Sequence, residues 1–284
     1  MTVRRAPFRI RVPGADLRGD VWIPPDPTPG AALVVCHGFK GFKDWGFFPH
    51  VSERLAGRTG TLAVSFNFEG SGVRESTEEF DDLPAFARNT FTKELFDLEI
   101  VLDGLGAGRL GDLDVAPSTR FGLLGHSRGG ATCILKASVR RQVRALATWS
   151  SIASAERYGA YMAEWESGRT VHIHNARTGQ DMPLERHVLD DLRANGTRLD
   201  VLAAATGLSI PWVIVHGEDD ESVPITDAEA LATAAGEHGR LVRIEATGHT
   251  FGSGHPFEGP TPALERALDA AVGVFLEGLG KESE

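Results

Sequence analysis

Short apolar runs separated by helix-like segments dominate the hydrophobic pattern of this chain. Most of the runs are apolar at nearly every position, which is typical of strands covered on both faces in a parallel sheet. Strands are predicted over residues 31–36, 61–68, 119–124, 143–149, 210–216 and 241–245. Segments of helical spacing or composition predict helices over residues 51–58, 91–105, 131–139 and 264–279. The alternation predicts an α/β fold, with a mostly parallel central sheet flanked by helices.

Two stretches depart from this alternation. Residues 8–12 and 17–23 alternate apolar and polar positions around Pro13-Gly14-Ala15-Asp16, which predicts an N-terminal β-hairpin. Residues 150–208 lose clear strand signals and carry aromatic side chains among many charges. We predict that they form a small, largely helical cap insertion over the carboxyl end of the sheet, within a single domain spanning residues 1–284.

Composition narrows the class of protein. The 284 residues are 42% hydrophobic, and 29 basic against 39 acidic residues leave a formal charge of −10. This balance argues against a nucleic-acid partner or an anionic membrane surface. No secretory signal and no apolar run of about 20 residues is apparent, so a cytoplasmic protein without a membrane span is expected. Cys36 and Cys133 fall in a predicted strand and a predicted helix, which favours packed thiols over a disulfide or a metal pair.

The first candidate for chemistry is Gly125-His126-Ser127-Arg128-Gly129. It joins a buried strand to a helical segment, and the small glycines allow the tight turn in which a serine hydroxyl projects clear of the backbone. Ser127 is therefore a candidate nucleophile. A second motif, His37-Gly38-Phe39, follows the strand over residues 31–36. The backbone N–H groups of Phe39 and Arg128 are candidate donors of an oxyanion hole, the alternative at Phe39 being a plain strand-to-loop turn.

A nucleophilic serine needs a histidine base held by an acid. The loop after the last strand supplies His249, with His255 six residues further on as a weaker rival. Four consecutive carboxylates, Glu218 to Glu221, follow the strand that ends at His216, where such an acid belongs. The aromatic loop over residues 42–49 would either wall a substrate pocket or fasten its own backbone to the core.

Other motifs indicate no cofactor and no metal. Residues 69–74 are rich in glycine but lack the Lys-Ser/Thr ending of a phosphate loop, and Gly-x-Gly-x-x-Gly at residues 106–111 follows a helix instead of a strand. His172-Ile173-His174 could form half a metal site, yet no carboxylate or cysteine cluster accompanies it at ligand spacing.

The order serine, acid, histidine on successive strand ends resembles the α/β-hydrolase family over nearly the whole chain. The family's His-Gly-x-x-Asp-x-x-Val-Pro pattern, beginning at His216, falls on Asp220 and leaves Asp219 as the alternate. The resemblance implies a serine hydrolase with the triad Ser127, Asp220 and His249, acting without a cofactor on a small-molecule ester.

Within the family, the compact cap and the aromatic loop look more like the carboxylesterases, including cinnamoyl and feruloyl esterase-like members, than like the large multidomain peptidases. Dienelactone-hydrolase-like proteins are a further comparison, but those often use a cysteine nucleophile. Hydrolysis of small or aromatic esters is expected. An amide or peptide hydrolase and an acyltransferase are the alternatives on the same triad, and a non-catalytic binding protein of this fold is a third. The sequence leaves open whether the protein forms a homodimer.

Overall fold

A computed structural model describes residues 2–12, 15–76, 78–175 and 178–280. The strands are β1 (Arg4–Val12), β2 (Ala15–Ile23), β3 (Gly30–Cys36), β4 (Leu62–Asn67), β5 (Arg109–Leu110), β6 (Leu113–Asp114), β7 (Ser118–His126), β8 (Val143–Trp149), β9 (Val171–Asn175), β10 (Gln180–Leu184), β11 (Trp212–Gly217) and β12 (Gly239–Ile244). The α-helices are α1 (Phe48–Thr59), α2 (Leu83–Ala87), α3 (Phe91–Ala107), α4 (Arg128–Val139), α5 (Met162–Glu166), α6 (His187–Asn195), α7 (Val201–Thr206), α8 (Ile225–Ala235) and α9 (Pro262–Leu279).

One eight-stranded sheet in the order β1-β2-β4-β3-β7-β8-β11-β12 forms the centre of the molecule. β1 pairs antiparallel with β2, and β2 with β4, whereas the six strands from β4 to β12 pair in parallel. Parallel pairing brings the carboxyl ends of these six strands to one edge, where sites in α/β folds form. This is the α/β-hydrolase fold that the motifs predicted.

Two hydrophobic layers cover the sheet. Successive side chains of β3 alternate between them, because neighbouring residues of a strand point to opposite faces. Helices α3, α4 and α8 pack on one face, and α1 and α9 pack on the other. The predicted apolar stripe of the last helix is buried as expected, at Leu264, Leu268, Ala271, Phe275 and Leu279.

The N-terminal hairpin is confirmed and is longer than predicted, since Arg4 pairs with Ile23. Its predicted turn at residues 13–16 lies partly outside the described residues. The glycines at residues 106–111 do end a helix: α3 is capped by Gly108 in the left-handed conformation, at φ 75°. No helix in the described ranges combines the length and the apolar character needed to cross a membrane.

Residues 150–208 lie between β8 and β11 and contain α5, β9, β10, α6 and α7. The prediction of a largely helical segment was wrong in one respect, because β9 and β10 form an antiparallel hairpin. Ile173 of β9 is paired with Met182 of β10, and both are more buried than His172 and His174, which face solvent. The side chains of β9 thus alternate between two faces, as expected for a strand. Helices α6 and α7 pack against α3 and α4 and extend that hydrophobic layer.

Candidate active site

Ser127 occupies a strained turn between β7 and α4. Its backbone has φ 55° and ψ −121°, a conformation that a residue with a side chain rarely adopts. The flanking glycines make the turn sterically feasible: a Cβ on Gly125 would lie 2.3 Å from the carbonyl oxygen of Gly129, and one on Gly129 would lie 2.4 Å from that of His37. Such strain persists where surrounding structure holds it, and it often coincides with function.

The loop after β3 packs directly against this turn. A Cβ added to Gly38 would lie 2.9 Å from the Ser127 Cβ and 3.0 Å from the carbonyl oxygen of His126. His37 anchors the loop, since its Nδ1–H donates to Gly38 O at 2.9 Å and its Nε2 accepts from the Phe68 N–H at 3.3 Å. Burial lowers the pKa of His37 to about 4, so the ring is neutral at physiological pH.

Phe39 and Arg128, the candidate oxyanion donors, line one cavity together with Ser127. Arg128 is the first residue of α4, and the first N–H groups of a helix have no partner within it. The helix N-terminus also carries a partial positive charge. This backbone is therefore suited to hold a developing negative charge beside Ser127.

Asp220 is paired with His249, whose Nδ1–H donates to Asp220 Oδ2 at 2.8 Å. The other carboxylate oxygen accepts the backbone N–H groups of Ser222 and Val223, each at 2.9 Å. The side chain of Asp220 is fully buried, whereas Asp219 is exposed. Burial alone would raise the pKa of Asp220, but hydrogen bonds from His216 and His249 hold it well below its usual range.

His126 contacts the base from the other side. Its Nε2–H donates to the carbonyl oxygen of His249 at 2.9 Å, and the two ring centroids are 4.6 Å apart. Burial and the neighbouring His249 lower the pKa of His126 to about 3, so this ring stays neutral. Sequence reasoning assigned it no role, because its partner lies 123 residues away.

The rival histidine is engaged elsewhere. His255 Nδ1 accepts the N–H of Gly46 at 2.9 Å, and its ring stacks on Trp45 with centroids 6.2 Å apart. It therefore supports the aromatic loop. Of the rings in that loop, Trp45 and Phe48 line the cavity, and Phe42 and Phe47 are buried in the core. Some rings of the loop therefore wall the cavity, and others fasten the loop to the core.

The cavity has a volume of about 490 Å³. Ser127 and His249 line it, and residues 150–208 supply much of the facing wall. The wall is mainly apolar and aromatic, with Phe39, Trp45, Phe48, Phe91, Ile152, Tyr158, Tyr161 and Ile173. Most small-molecule sites have this character, with a few polar groups that orient the ligand.

The two histidines of the insertion do not lie in a metal-like cluster. His172 and His174 are exposed on β9, and His174 Nδ1 lies 2.9 Å from Asp181 Oδ1. Across the described part of the chain, no group of three or more His, Cys, Asp or Glu side chains is placed to hold a metal ion. Cys36 and Cys133 are buried free thiols.

Comparison with known proteins gives structural matches only. No protein-family model and no curated protein sequence matches the chain. The solved structure of Est1E from Butyrivibrio proteoclasticus with ferulic acid bound is similar at 22% identity, covering 96% of this chain and all of that one, with a TM-score of 0.68. EstE1, a thermostable carboxylesterase from a metagenomic library, is similar at 20% identity over 99% of this chain and 91% of that one, with a TM-score of 0.66.

A dienelactone hydrolase from Anabaena variabilis is also similar, at 17% identity, 98% and 99% coverage and a TM-score of 0.60. These matches confirm the resemblance to α/β hydrolases at the level of the fold. Because one fold hosts many activities, the fold alone does not determine the reaction.

Proposed function

We propose that this protein is a serine hydrolase that cleaves carboxylic esters. The observation that carries the proposal is a serine on a strained strand-to-helix turn, lining the same cavity as a histidine that a buried carboxylate orients. One of the structural neighbours, EstE1, is a carboxylesterase, which supports the same reaction class.

In the proposed reaction, His249 accepts the hydroxyl proton of Ser127 as its oxygen attacks the ester carbonyl. Asp220 fixes the tautomer with the proton on Nδ1 and stabilises the imidazolium that forms. The N–H groups of Phe39 and Arg128 stabilise the oxyanion, a contribution of about 10²–10³ in turnover for each donor. His249 then protonates the departing alcohol, and a water molecule activated by the same ring releases the acid.

We further propose that residues 150–208 act as a cap. The supporting observation is that Ile152, Tyr158, Tyr161 and Ile173 all line the cavity that contains Ser127. This segment would decide which acyl or alcohol groups enter, and its aromatic side chains suit small or aromatic esters. The fold itself also suits an amide hydrolase or an acyltransferase, so the test includes an amide.

The test is turnover of p-nitrophenyl acetate and butyrate by the wild-type protein, Ser127→Ala and the exposed-serine control Ser167→Ala. We expect activity in the wild type and the control, and a loss of about 10⁴-fold or more in Ser127→Ala. Equal turnover by all three proteins would contradict the proposal. Faster cleavage of p-nitrobutyranilide than of the butyrate ester would replace ester hydrolysis by amide hydrolysis.

A further inference from the structure

Basic side chains, but no acidic ones from the described part of the chain, line the cavity, although the whole chain has a formal charge of −10. Three basic residues line it, Lys40, Arg128 and Arg157, and in the described ranges no Asp or Glu does. The carboxylates that accompany the two arginines, Glu94 and Asp227, are not among the lining residues.

Arg128 is held rigidly in this wall. Its side chain is 4% exposed, its Nε lies 2.8 Å from Glu94 Oε1, and its Nη1 donates to the hydroxyl of Tyr158. The guanidinium also lies over the Phe91 ring, 3.9 Å from the centroid. Its Nη2 is buried and meets no hydrogen-bond acceptor in the described part of the chain. A buried donor without an acceptor is costly, and an anion that reached the guanidinium from the cavity would relieve this cost.

Arg157 lines the same cavity from the insertion, next to Tyr158 in sequence. Asp227 holds its Nη1 at 2.6 Å, while its Nη2 has only a long contact of 3.4 Å to the carbonyl oxygen of Ser222. The side chain is 34% exposed. Arg157 is therefore positioned by one acid yet keeps donors for a second partner, and the planar guanidinium suits a carboxylate.

We infer that the substrate is an ester that carries a carboxylate in addition to the bond that is cleaved, and that Arg128 and Arg157 bind this group. The inference rests on the proposed ester hydrolysis and narrows its substrate class. Specificity would arise because a neutral ester of the same shape leaves the two guanidinium groups without the anion.

The test compares pairs of esters in which one member carries the additional carboxylate and the other carries a neutral group of similar size in its place. For the acyl side, p-nitrophenyl hydrogen glutarate is compared with p-nitrophenyl valerate; for the alcohol side, 4-acetoxybenzoate is compared with 4-acetoxybenzamide. After subtraction of the reaction in buffer, we expect the charged ester of one pair to have at least about tenfold higher kcat/KM, a preference that falls as salt is added.

Arg157→Gln should lower that preference about tenfold, and Arg128→Gln should lower it as well. The matched control is Arg186→Gln. Like Arg157, Arg186 is a partly exposed arginine of the insertion that is paired with an aspartate, its Nε lying 2.9 Å from Asp190 Oδ1. Unlike Arg157, it does not line the cavity. It should leave the preference unchanged. A preference that survives both cavity variants would overturn the inference.

The outcomes separate this inference from the proposed function. If Ser127-dependent hydrolysis occurs with no preference in either pair, the inference is wrong and ester hydrolysis stands. If no ester is cleaved, the proposed ester hydrolysis is wrong. Recognition of the carboxylate is then tested by binding a charged and a neutral ligand to Ser127→Ala. Calorimetry should then show tighter binding of monomethyl glutarate than of methyl valerate; equal or weaker binding of the anion would overturn the inference.

Discussion

Replacing Asp220 by asparagine should disable the protein by forcing His249 into the wrong tautomer. One oxygen of Asp220 accepts two backbone N–H groups, from Ser222 and Val223, so the asparagine carbonyl is retained there. The amide NH₂ then occupies the position of Oδ2, which lies 2.8 Å from His249 Nδ1. Because an NH₂ group is only a donor, it requires a bare Nδ1, and the proton of the ring moves to Nε2.

A ring with its proton on Nε2 cannot accept the proton of Ser127. In serine proteases the equivalent substitution lowers kcat by about 10⁴, which at 1.36 kcal/mol per factor of ten corresponds to about 5 kcal/mol of lost transition-state stabilisation. The same magnitude is expected for Asp220→Asn. The side chain of Asp220 is fully buried, so solvent water cannot take over the role of the lost carboxylate.

The assay is kcat for p-nitrophenyl butyrate at pH 7.5, with Asp219→Asn as the matched control. Asp219 is the exposed neighbour on the same turn, and its substitution should change kcat by less than about twofold. Circular dichroism confirms that both variants are folded. A reversed ranking of the two variants, or an Asp220→Asn loss below tenfold, would refute this account of the triad.

Two further predictions concern the surroundings of the site, and a third concerns the stability of the fold. Gly38→Ala places a Cβ 2.9 Å from that of Ser127, so the loop must shift and kcat should fall about 10²-fold, whereas a soluble variant with normal kcat would show that the close approach is unimportant. His126→Phe keeps the ring but removes the hydrogen bond to His249 O; kcat should fall about tenfold with KM nearly unchanged, and a change confined to KM would argue against a positioning role. Burial raises the pKa of Asp97 to about 7, so the folded state retains a proton that the unfolded chain loses above about pH 4, and folding is penalised increasingly as pH rises from about 4 to 7. Asp97→Asn should therefore raise the free energy of unfolding, measured with urea, by up to about 4 kcal/mol at pH 8 and by much less at pH 4.5; a pH-independent gain would contradict this origin.

Local patterns were sufficient to predict the sheet and the tight turn at Ser127. The central strands are apolar at nearly every position because helices cover both faces, and that condition is visible in sequence. The steric need for Gly125 and Gly129 acts within five residues and is equally local. Asp220 was distinguished from Asp219 by the family pattern alone. The physical reason required the structure: Asp220 is buried, accepts three hydrogen bonds and lies 3.3 Å from His216 Nε2.

Features set by distant contacts could not be predicted. The β9–β10 hairpin is short and contains Pro183, so its alternation is weak in sequence. The role of the Arg128 side chain depends on Glu94 and Tyr158, which come from a helix before it and a loop after it. No spacing rule connects these positions, because their contacts depend on how the insertion packs against α4.

The most direct test of the central claim is covalent labelling with a fluorophosphonate, which reacts with an activated serine. Intact-mass and peptide analysis of the labelled wild-type protein should show one adduct per chain, located on Ser127, and none on Ser127→Ala. The absence of any adduct, or an adduct on another serine, would contradict the assignment of Ser127 as the nucleophile.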